Sequence, residues 1–338
     1  MDQRLDHMLP VPVKLPYFRD AAELPGPLPT AVEIRDSSKS DLSPRRSAWG
    51  GGSGVCCIRG IYIVKYGPEV TENEGNALLF IENRMDISAP RLYAMYRDSP
   101  SGPLHLVMEC IQGTDLESLW KSLSVEAKSS ITAELQHIFI QIHSLSPPHD
   151  FIGGVCGGGI PDQVFQTSSP NPRINGPFRT AEEVSSALAL ASRHNWEENG
   201  RHGWVSGFLS RQLSAALKGY EVNFTHGDLN MRNILVERVP AKPESTDSSV
   251  QGEEAGERWS YRVRGIVDWE SAGWYPAYWE YASTVARFQS ASDWLESFTI
   301  IARQCQSYYA VKAGVISRDV ESVSKSRSAK HRGLELSS

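Results

Sequence analysis

Two apolar segments, residues 233–238 and 261–267, constrain the fold most, because residues with oxygen-bearing side chains stand at one end of each. The first segment begins at Asn233, five residues after Asp228, and the second ends just before Asp268. The stretch between them, residues 240–257, is polar and poor in aromatic residues, which predicts a disordered insertion at a hairpin tip. If the segments pair as a hairpin, Asn233 and Asp268 meet at the same end of it.

Asp228, Asn233 and Asp268 carry the type of side chain that a hard cation binds. Carboxylate and amide oxygens suit Mg²⁺, and a strand end holds such a donor in a fixed place. We therefore predict a metal and phosphate site at this end of the hairpin. His226, close to Asp228 in the same loop, is expected to support the loop through a hydrogen bond.

The order of the predicted elements indicates an α+β fold with two lobes. Strand-like runs and one helix fill residues 49–110, whereas helical periodicity dominates residues 111–316. Residues 1–48 are rich in proline, serine and charge, which predicts a flexible extension. Residues 317–338 are rich in serine and basic residues and are expected to be an unstructured tail.

Composition excludes several classes of function. The formal net charge of −6 argues against a general nucleic-acid binder, which needs a basic surplus to neutralise phosphates. The chain has no apolar run that approaches the roughly 20 residues of a membrane helix, and its start lacks the apolar core of a secretory signal. The 5 cysteines include no CxxC pair, so we expect free thiols and a cytoplasmic location.

The two polar segments together resemble a known family. His-x-Asp-x-x-x-x-Asn, followed by an apolar strand and a metal-binding Asp, is the pattern of kinase-like phosphotransferases. His226-Gly227-Asp228 with Ile266-Val267-Asp268-Trp269-Glu270 resembles the aminoglycoside phosphotransferase family, and residues 272–281 resemble its fungal branch. Lys65-Tyr66-Gly67 and residues 87–93 are similar to that branch too, so the resemblance spans roughly residues 60–289.

The resemblance implies a protein kinase-like fold with a small antiparallel sheet in the N-terminal lobe and a mainly helical C-terminal lobe. It also implies a kinase that uses ATP and Mg²⁺ to phosphorylate a hydroxyl of a small-molecule acceptor, with no nucleic-acid or membrane partner. On this reading Asp228 is the catalytic residue, and Asn233 and Asp268 are the metal ligands. The residues implied in binding the nucleotide are Ser53, Lys65, Glu74, Glu109 and Ile111.

Some residues admit a second interpretation. Thr71 and Glu74 have the spacing of a helix capping box, so Glu74 could serve the helix start instead of the lysine. Glu270 could assist a metal or form an ordinary salt bridge. The aromatic residues around Asp268 favour core packing over a base-stacking platform.

Two other functions stay open at this level. A non-catalytic nucleotide-binding or scaffold protein with the same fold is the main alternative, since the glycine-rich segment 50–54 departs from the usual phosphate-covering loop. A protein kinase is disfavoured, because Trp-Glu follows Asp268 where protein kinases have Phe-Gly.

Overall fold

A computed structural model describes residues 8–37, 54–198, 200, 204–217, 221–240, 259–287 and 293–302. Ser53 and the glycines that precede it lie outside the described residues. The same holds for residues 241–257 of the predicted insertion and for the predicted tail 317–338.

The N-terminal lobe is a five-stranded antiparallel sheet with one long helix packed on it. The strands, in the order in which they lie in the sheet, are β1 (Tyr17–Phe18), β4 (Leu92–Arg97), β5 (Leu104–Glu109), β3 (Tyr62–Gly67) and β2 (Gly54–Ile58). Arg59 and Gly60 form the turn between β2 and β3, and both residues have positive φ angles. Such angles cost a side chain energy and suit glycine.

Part of the predicted flexible extension is folded onto this lobe, and the prediction was wrong for residues 8–37. β1 pairs with β4, and α1 (Ala31–Ser37) packs near β2. Val13 N donates to Asn76 Oδ1 at 2.9 Å, so the segment also contacts the helix. Proline-rich composition signals the lack of helix and sheet periodicity, but it does not report these contacts with residues distant in sequence.

The helix of this lobe, α2 (Glu72–Arg84), begins after Thr71 as predicted. The capping box does not form, since the Thr71 side chain makes no capping hydrogen bond. Glu74 is buried and bonded to Lys65 instead. In the pair with Lys65 both groups are charged, whereas a backbone N–H is neutral. The ammonium group on the neighbouring strand β3 therefore competes successfully with the helix start for the Glu74 carboxylate.

The C-terminal lobe is mainly helical, which confirms the predicted fold class. Its helices are α3 (Leu116–Trp120), α4 (Val125–His143), α5 (Pro172–Asn175), α6 (Ala181–Glu198), α7 (Trp204–Ala216), α8 (Trp279–Arg287) and α9 (Trp294–Ile301). Asp115 and Ser124 cap α3 and α4 by accepting from backbone N–H groups of the first turn. In the part of the chain that the structure describes, no helix is both long and apolar enough to cross a membrane.

Two small sheets inside this lobe carry the polar loops. One has the order β10 (Trp259–Ile266), β9 (Ile234–Pro240) and β6 (Thr114–Asp115), and the other β7 (Gly153–Gly154), β11 (Gly273–Pro276) and β8 (Val222–Thr225). The predicted hairpin is confirmed, with Ile234 opposite Ile266.

The second of these sheets was missed by the sequence analysis. Pro276 ends β11, and the next helix, α8, begins at Trp279. Strands of two to four residues are too short to show an alternation of apolar and polar residues. The aromatic residues around them are buried core residues, as expected: Trp269, Trp274, Tyr275, Tyr278 and Trp279.

We expect replacement of Arg19 to show that the N-terminal segment is an integral part of the lobe. Its guanidinium is 8% exposed, pairs with both carboxylate oxygens of Glu82 on α2, and donates to Leu92 O at 2.8 Å. Arg19→Ala removes the donor to Leu92 O and leaves Glu82 with Arg91 as its remaining partner. It should lower the free energy of unfolding by about 1–3 kcal/mol in urea denaturation.

Arg97→Ala is the matched control, because Arg97 belongs to the same sheet and pairs with Glu72 at 3.2 Å but is 34% exposed. Its cost should stay below about 1 kcal/mol. Equal costs for the two variants would contradict an anchoring role of the N-terminal segment.

Candidate active site

The loop that contains Asp228 runs between β8 and β9 and turns sharply at Gly227. Gly227 has φ of 81°, and a Cβ atom at this position would lie 2.5 Å from Ser271 O. A larger residue therefore meets both backbone strain and a backbone clash. This contact explains why the middle residue of the His-x-Asp pattern is glycine here.

Val267 lies between the end of β10 and Asp268, and its backbone bonds to the loop of Asp228. Its N–H donates to Asn233 O at 2.9 Å, and its carbonyl lies 3.0 Å from His226 Nε2. Asp228 N donates to His226 Nδ1 at 3.2 Å, so the proton of the neutral ring resides on Nε2, which donates to Val267 O. His226 thus supports the loop by hydrogen bonds, as expected, and the two loops are fixed relative to each other.

Lys65 lies among carboxylates from both lobes. Its Nζ is 2.8 Å from each oxygen of Glu74, 2.5 Å from Asp268 Oδ1 and 3.9 Å from Glu270 Oε2. Glu74 belongs to α2 in the N-terminal lobe, while Asp268 and Glu270 follow β10 in the C-terminal lobe. The ammonium group therefore connects the lobes directly.

The charges in this cluster perturb one another. Burial alone would lower the pKa of Lys65, but the charges of Glu74 and Asp268 raise it well above its ordinary value. Burial raises the pKa of Glu74, and Lys65 offsets this effect only in part. Loss of solvent and then repulsion by Asp268 raise the pKa of Glu270 to about 7. The site thus holds more negative charge than Lys65 neutralises, which favours an added cation.

Asp268 has a left-handed backbone, with φ of 70° and ψ of 56°. This conformation costs an ordinary residue roughly 1–2 kcal/mol and is held by its surroundings. Trp269 provides the anchor, since its ring is fully buried, lies 4.5 Å from the His226 ring and donates from Nε1 to Ile266 O. The backbone turn at Asp268 places its carboxylate against Lys65.

A second observation, which does not involve Lys65, makes Asn233 suitable as a metal ligand. Its Nδ2 donates to Asp228 O at 2.9 Å, which orients the amide. Its Oδ1 is buried and, within the described residues, accepts no hydrogen bond. An unsatisfied buried oxygen costs free energy that a bound cation would recover. The donors of Asn233 and Asp268 are hard oxygens, as Mg²⁺ requires.

Glu280 is a residue of the site that the sequence analysis did not single out. It is 1% exposed, and its Oε2 accepts from His226 N at 2.7 Å and weakly from Gly227 N at 3.5 Å. A carboxylate on α8 therefore holds the backbone that precedes Asp228. Its position inside the aromatic run 278–281 was the available signal, since an acid among core residues needs a buried partner.

Asn73 was missed as well, and it joins α2 to the loop that follows Asp268. Its Nδ2 donates to Glu270 O at 3.0 Å and Ala272 O at 2.8 Å, while its Oδ1 accepts from Val155 N at 3.1 Å. It directly precedes Glu74, so these bonds hold the lysine's partner against the C-terminal lobe. One polar residue in a helix start gives no sequence signal for contacts with residues nearly 200 positions away.

The remaining residues implied in nucleotide binding lie where β5 leaves the N-terminal lobe. Glu109 ends this strand, and its N–H donates to Arg91 O at 2.9 Å. Cys110 N donates to Ile61 O at 3.0 Å. Ile111 follows and packs against Gly265, where a Cβ atom would lie 2.7 Å from its Cδ1. Ser53 lies outside the described residues.

Comparison with known proteins gives a fold resemblance. No protein-family model matches the chain, and no curated protein matches it significantly. A thermostable mutant of aminoglycoside phosphotransferase APH(4)-Ia is 13% identical, with a TM-score of 0.49 over 84% of this chain and 85% of that one. The streptomycin–ATP–APH(2'')-IIa complex is 12% identical, with a TM-score of 0.48 over 86% of each chain. The GDP complex of aminoglycoside 2'-phosphotransferase-IIIa is 13% identical, with a TM-score of 0.45 over 84% of this chain and 87% of that one.

At these identities the likeness concerns the general course of the chain. The case for a function therefore lies in the residues of the site.

Replacement of Asn73 tests the connection between the lobes. Asn73→Ala removes a donor to two carbonyls and an acceptor for Val155 N, and should lower the free energy of unfolding by about 1–3 kcal/mol. Asn73→Asp should cost at least as much, because its carboxylate would face the carbonyls of Glu270 and Ala272. Urea denaturation measures both.

Asn83→Ala is the control on the same helix, where an exposed Asn donates only to Leu79 O at 2.7 Å. We expect a change within about 0.5 kcal/mol for this variant. Ala favours a helix more than Asn does, so helix propensity does not lower the stability of either variant. If Asn83→Ala destabilises the protein as much as Asn73→Ala, the interlobe bonds do not account for the effect.

Proposed function

We propose that the protein is a phosphotransferase that moves the γ-phosphoryl group of ATP to a hydroxyl of a small-molecule acceptor, with Mg²⁺ as cofactor. The observation that supports this most is the meeting of Lys65, Glu74 and Asp268 beside a loop fixed by Asn233. Phosphoryl transfer needs little covalent work from a protein, so fixed charges and positioning are the main requirements.

Lys65 supplies the positive charge for the nucleotide phosphates in this proposal. A phosphate oxygen competes with Asp268 for one N–H of the ammonium group, while Glu74 keeps two hydrogen bonds to it at 2.8 Å. Glu74 therefore holds Lys65 in place when its bond to Asp268 is given up. The high pKa of Lys65 keeps it charged at neutral pH.

Asn233 Oδ1 and the Asp268 carboxylate are the proposed metal ligands. Bound Mg²⁺ supplies neutralisation of the phosphate charge that develops during transfer. The protein's own part is to present these oxygens from a rigid frame. The hairpin register and the two hydrogen bonds of Val267 provide that frame.

Asp228 is the proposed catalytic residue, which orients the acceptor hydroxyl and accepts its proton. Its backbone carbonyl accepts from Asn233 Nδ2 at 2.9 Å and from Asn230 Nδ2 at 3.1 Å. With Glu280 holding His226 and Gly227, the loop is bonded on both sides of Asp228. Such support favours a fixed direction of attack.

Adenine is proposed to bind the segment 109–111. The N–H groups of Glu109 and Cys110 already donate to Arg91 and Ile61. Ile111, the next residue, is therefore the donor that we propose for the base. The apolar contact of Ile111 with Gly265 supports its position beside the hairpin.

We expect ATP with Mg²⁺ to raise the midpoint of thermal unfolding. At a ligand concentration 100 times Kd, the stabilisation is about 2.7 kcal/mol. Asn233→Ala and Asp268→Asn should reduce the part of this shift that depends on Mg²⁺ and is lost with a chelator, since the first variant lacks an oxygen ligand and the second replaces a charged carboxylate with a neutral amide. Glu126→Gln, an exposed acid at the start of α4, should keep the full shift. A shift that is the same with chelator and in all variants would contradict the proposed metal site.

Turnover is tested by a screen of hydroxyl-bearing small molecules for acceptor-dependent ADP release. On an acceptor that the protein phosphorylates, Asp228→Asn should lower kcat by about 10²-fold or more, because the amide cannot take the proton. The ATP-induced thermal shift should persist in this variant. ATP binding without turnover on any acceptor, unchanged by Asp228→Asn, would favour the scaffold alternative.

A further inference from the structure

Two cysteines meet at the edge of the N-terminal sheet, away from the metal ligands. Cys57 belongs to β2, where it lies opposite Ile63 of β3. Cys110 directly follows β5 and is tied by its N–H to Ile61 O at the start of β3. Their Sγ atoms are 3.6 Å apart, although 53 residues separate them in the chain. The end of β3 lies between the two strands, and the thiols approach each other across it.

We propose that Cys57 and Cys110 are a redox pair that forms a reversible disulfide when the protein meets a peroxide. The sulfurs must approach by about 1.5 Å to reach the S–S bond length of about 2.05 Å. Because β3 lies between the two strands, this approach takes backbone movement at the end of the sheet as well as side-chain rotation. Cys57 is exposed and Cys110 half-buried, so an oxidant can reach the pair.

The neighbouring Cys56 is not a competitor, because consecutive residues of a strand point to opposite faces of the sheet. Cys56 is 4% exposed and packs in the core cluster of β2, β3 and β4. Burial raises its pKa to about 11, which disfavours the reactive thiolate. Cys57, on the opposite face, is the thiol of this strand that solvent reaches.

The chemistry balances with hydrogen peroxide as oxidant. Cys57 loses its proton and its thiolate attacks one peroxide oxygen, and the O–O bond breaks. The hydroxide that leaves takes up the proton and becomes water, and Cys57 becomes a sulfenic acid. The sulfur of Cys110 then attacks the Cys57 sulfur, the S–O bond breaks, and the hydroxide takes the Cys110 proton. Two thiols lose two electrons in total, and the peroxide becomes two waters.

The order of these steps follows from the surroundings of the two thiols. Burial, with a hydrogen bond in which the Cys110 thiol donates to the Cys57 sulfur, raises the pKa of Cys110 to about 11. Cys110 is therefore protonated at neutral pH and is the poorer first nucleophile. It acts in the second step, where the sulfenic acid stands beside it.

A disulfide here would alter the nucleotide site, and this consequence rests on the proposed function. Cys110 lies between Glu109 and Ile111, the segment proposed for adenine. Gln112 Nε2 bonds to Gly60 O at 2.9 Å, Cys110 O at 3.1 Å and Cys110 Sγ at 3.4 Å. Movement of the sulfur toward Cys57 disturbs this arrangement, so we expect oxidation to weaken ATP binding.

Mass spectrometry of the full-length protein tests the disulfide itself. Trypsin leaves Cys56 and Cys57 on one peptide, so the test uses Cys56→Ser as the background. Treatment with hydrogen peroxide should give a linked peptide that joins Cys57 to Cys110 and that dithiothreitol removes. Cys57→Ser or Cys110→Ser, each added to the Cys56→Ser background, should abolish it, whereas Cys156→Ser should not.

Absence of the linked peptide in the Cys56→Ser background overturns the proposal. So does oxidation of both thiols to separate sulfinic acids. These outcomes do not depend on whether the protein binds nucleotides.

Titration with ATP and Mg²⁺ tests the consequence. The oxidised protein should bind ATP more weakly than the reduced protein, with a Kd about threefold or more higher. Reduction should restore the affinity, and Cys57→Ser should be insensitive to peroxide. Equal affinity of the oxidised and reduced forms overturns the effect on the nucleotide site alone. Failure of the reduced protein to bind ATP overturns the proposed function and leaves the disulfide standing.

Discussion

The ion pairs of Lys65 are the interaction on which the arrangement of the two lobes depends. One ammonium group bonds to Glu74 on the helix of the N-terminal lobe and to Asp268 at the end of the hairpin. Such a cluster is costly to bury unless every partner is in place, and removal of one partner leaves an uncompensated charge. The strand β3, the helix α2 and the loop after β10 must therefore keep their relative positions. Asn73, one residue before Glu74, adds uncharged hydrogen bonds in the same place and holds the lobes together independently of charge.

The hairpin β9–β10 imposes a second constraint, because it determines where the oxygen donors stand. Its register sets Asn233 and Val267 side by side, and the two hydrogen bonds of Val267 then lock the loop of Asp228 to Asp268. Gly227 allows the loop to pass against Ser271, and Glu280 accepts a hydrogen bond from His226 N in the same loop. Among the described residues Asn233 Oδ1 accepts no hydrogen bond, and Glu74, Asp268 and Glu270 lie close together, which supports the cation that we propose at this site.

The general fold, which is confirmed, and the candidate site residues, which stay a prediction, could both be inferred from the sequence because they follow local rules. Strand periodicity, helix starts and the loop pattern can each be recognised within about ten to twenty consecutive residues. Local windows do not predict the contacts of Asn73 and Glu280 or the folding of residues 8–37 onto the sheet. Each of these features joins segments more than fifty positions apart. The choice of Glu74 between the helix start and Lys65 is of the same kind, because local spacing permits both and only the neighbouring strand decides it.

The sequence by itself determined that an α+β chain presents Asp228, Asn233 and Asp268 around an apolar hairpin, with Lys65 on a strand before them. Side-chain type and spacing are enough for that, because hairpin pairing brings the ends of adjacent strands together. Only the tertiary structure decided that Lys65 contacts Asp268 as well as Glu74, that Asp268 adopts a left-handed backbone, and that Cys57 lies beside Cys110. These features depend on how the elements pack in three dimensions. The physical reason is that buried charges and polar atoms need partners, and the segment that lies next to them in space supplies those partners.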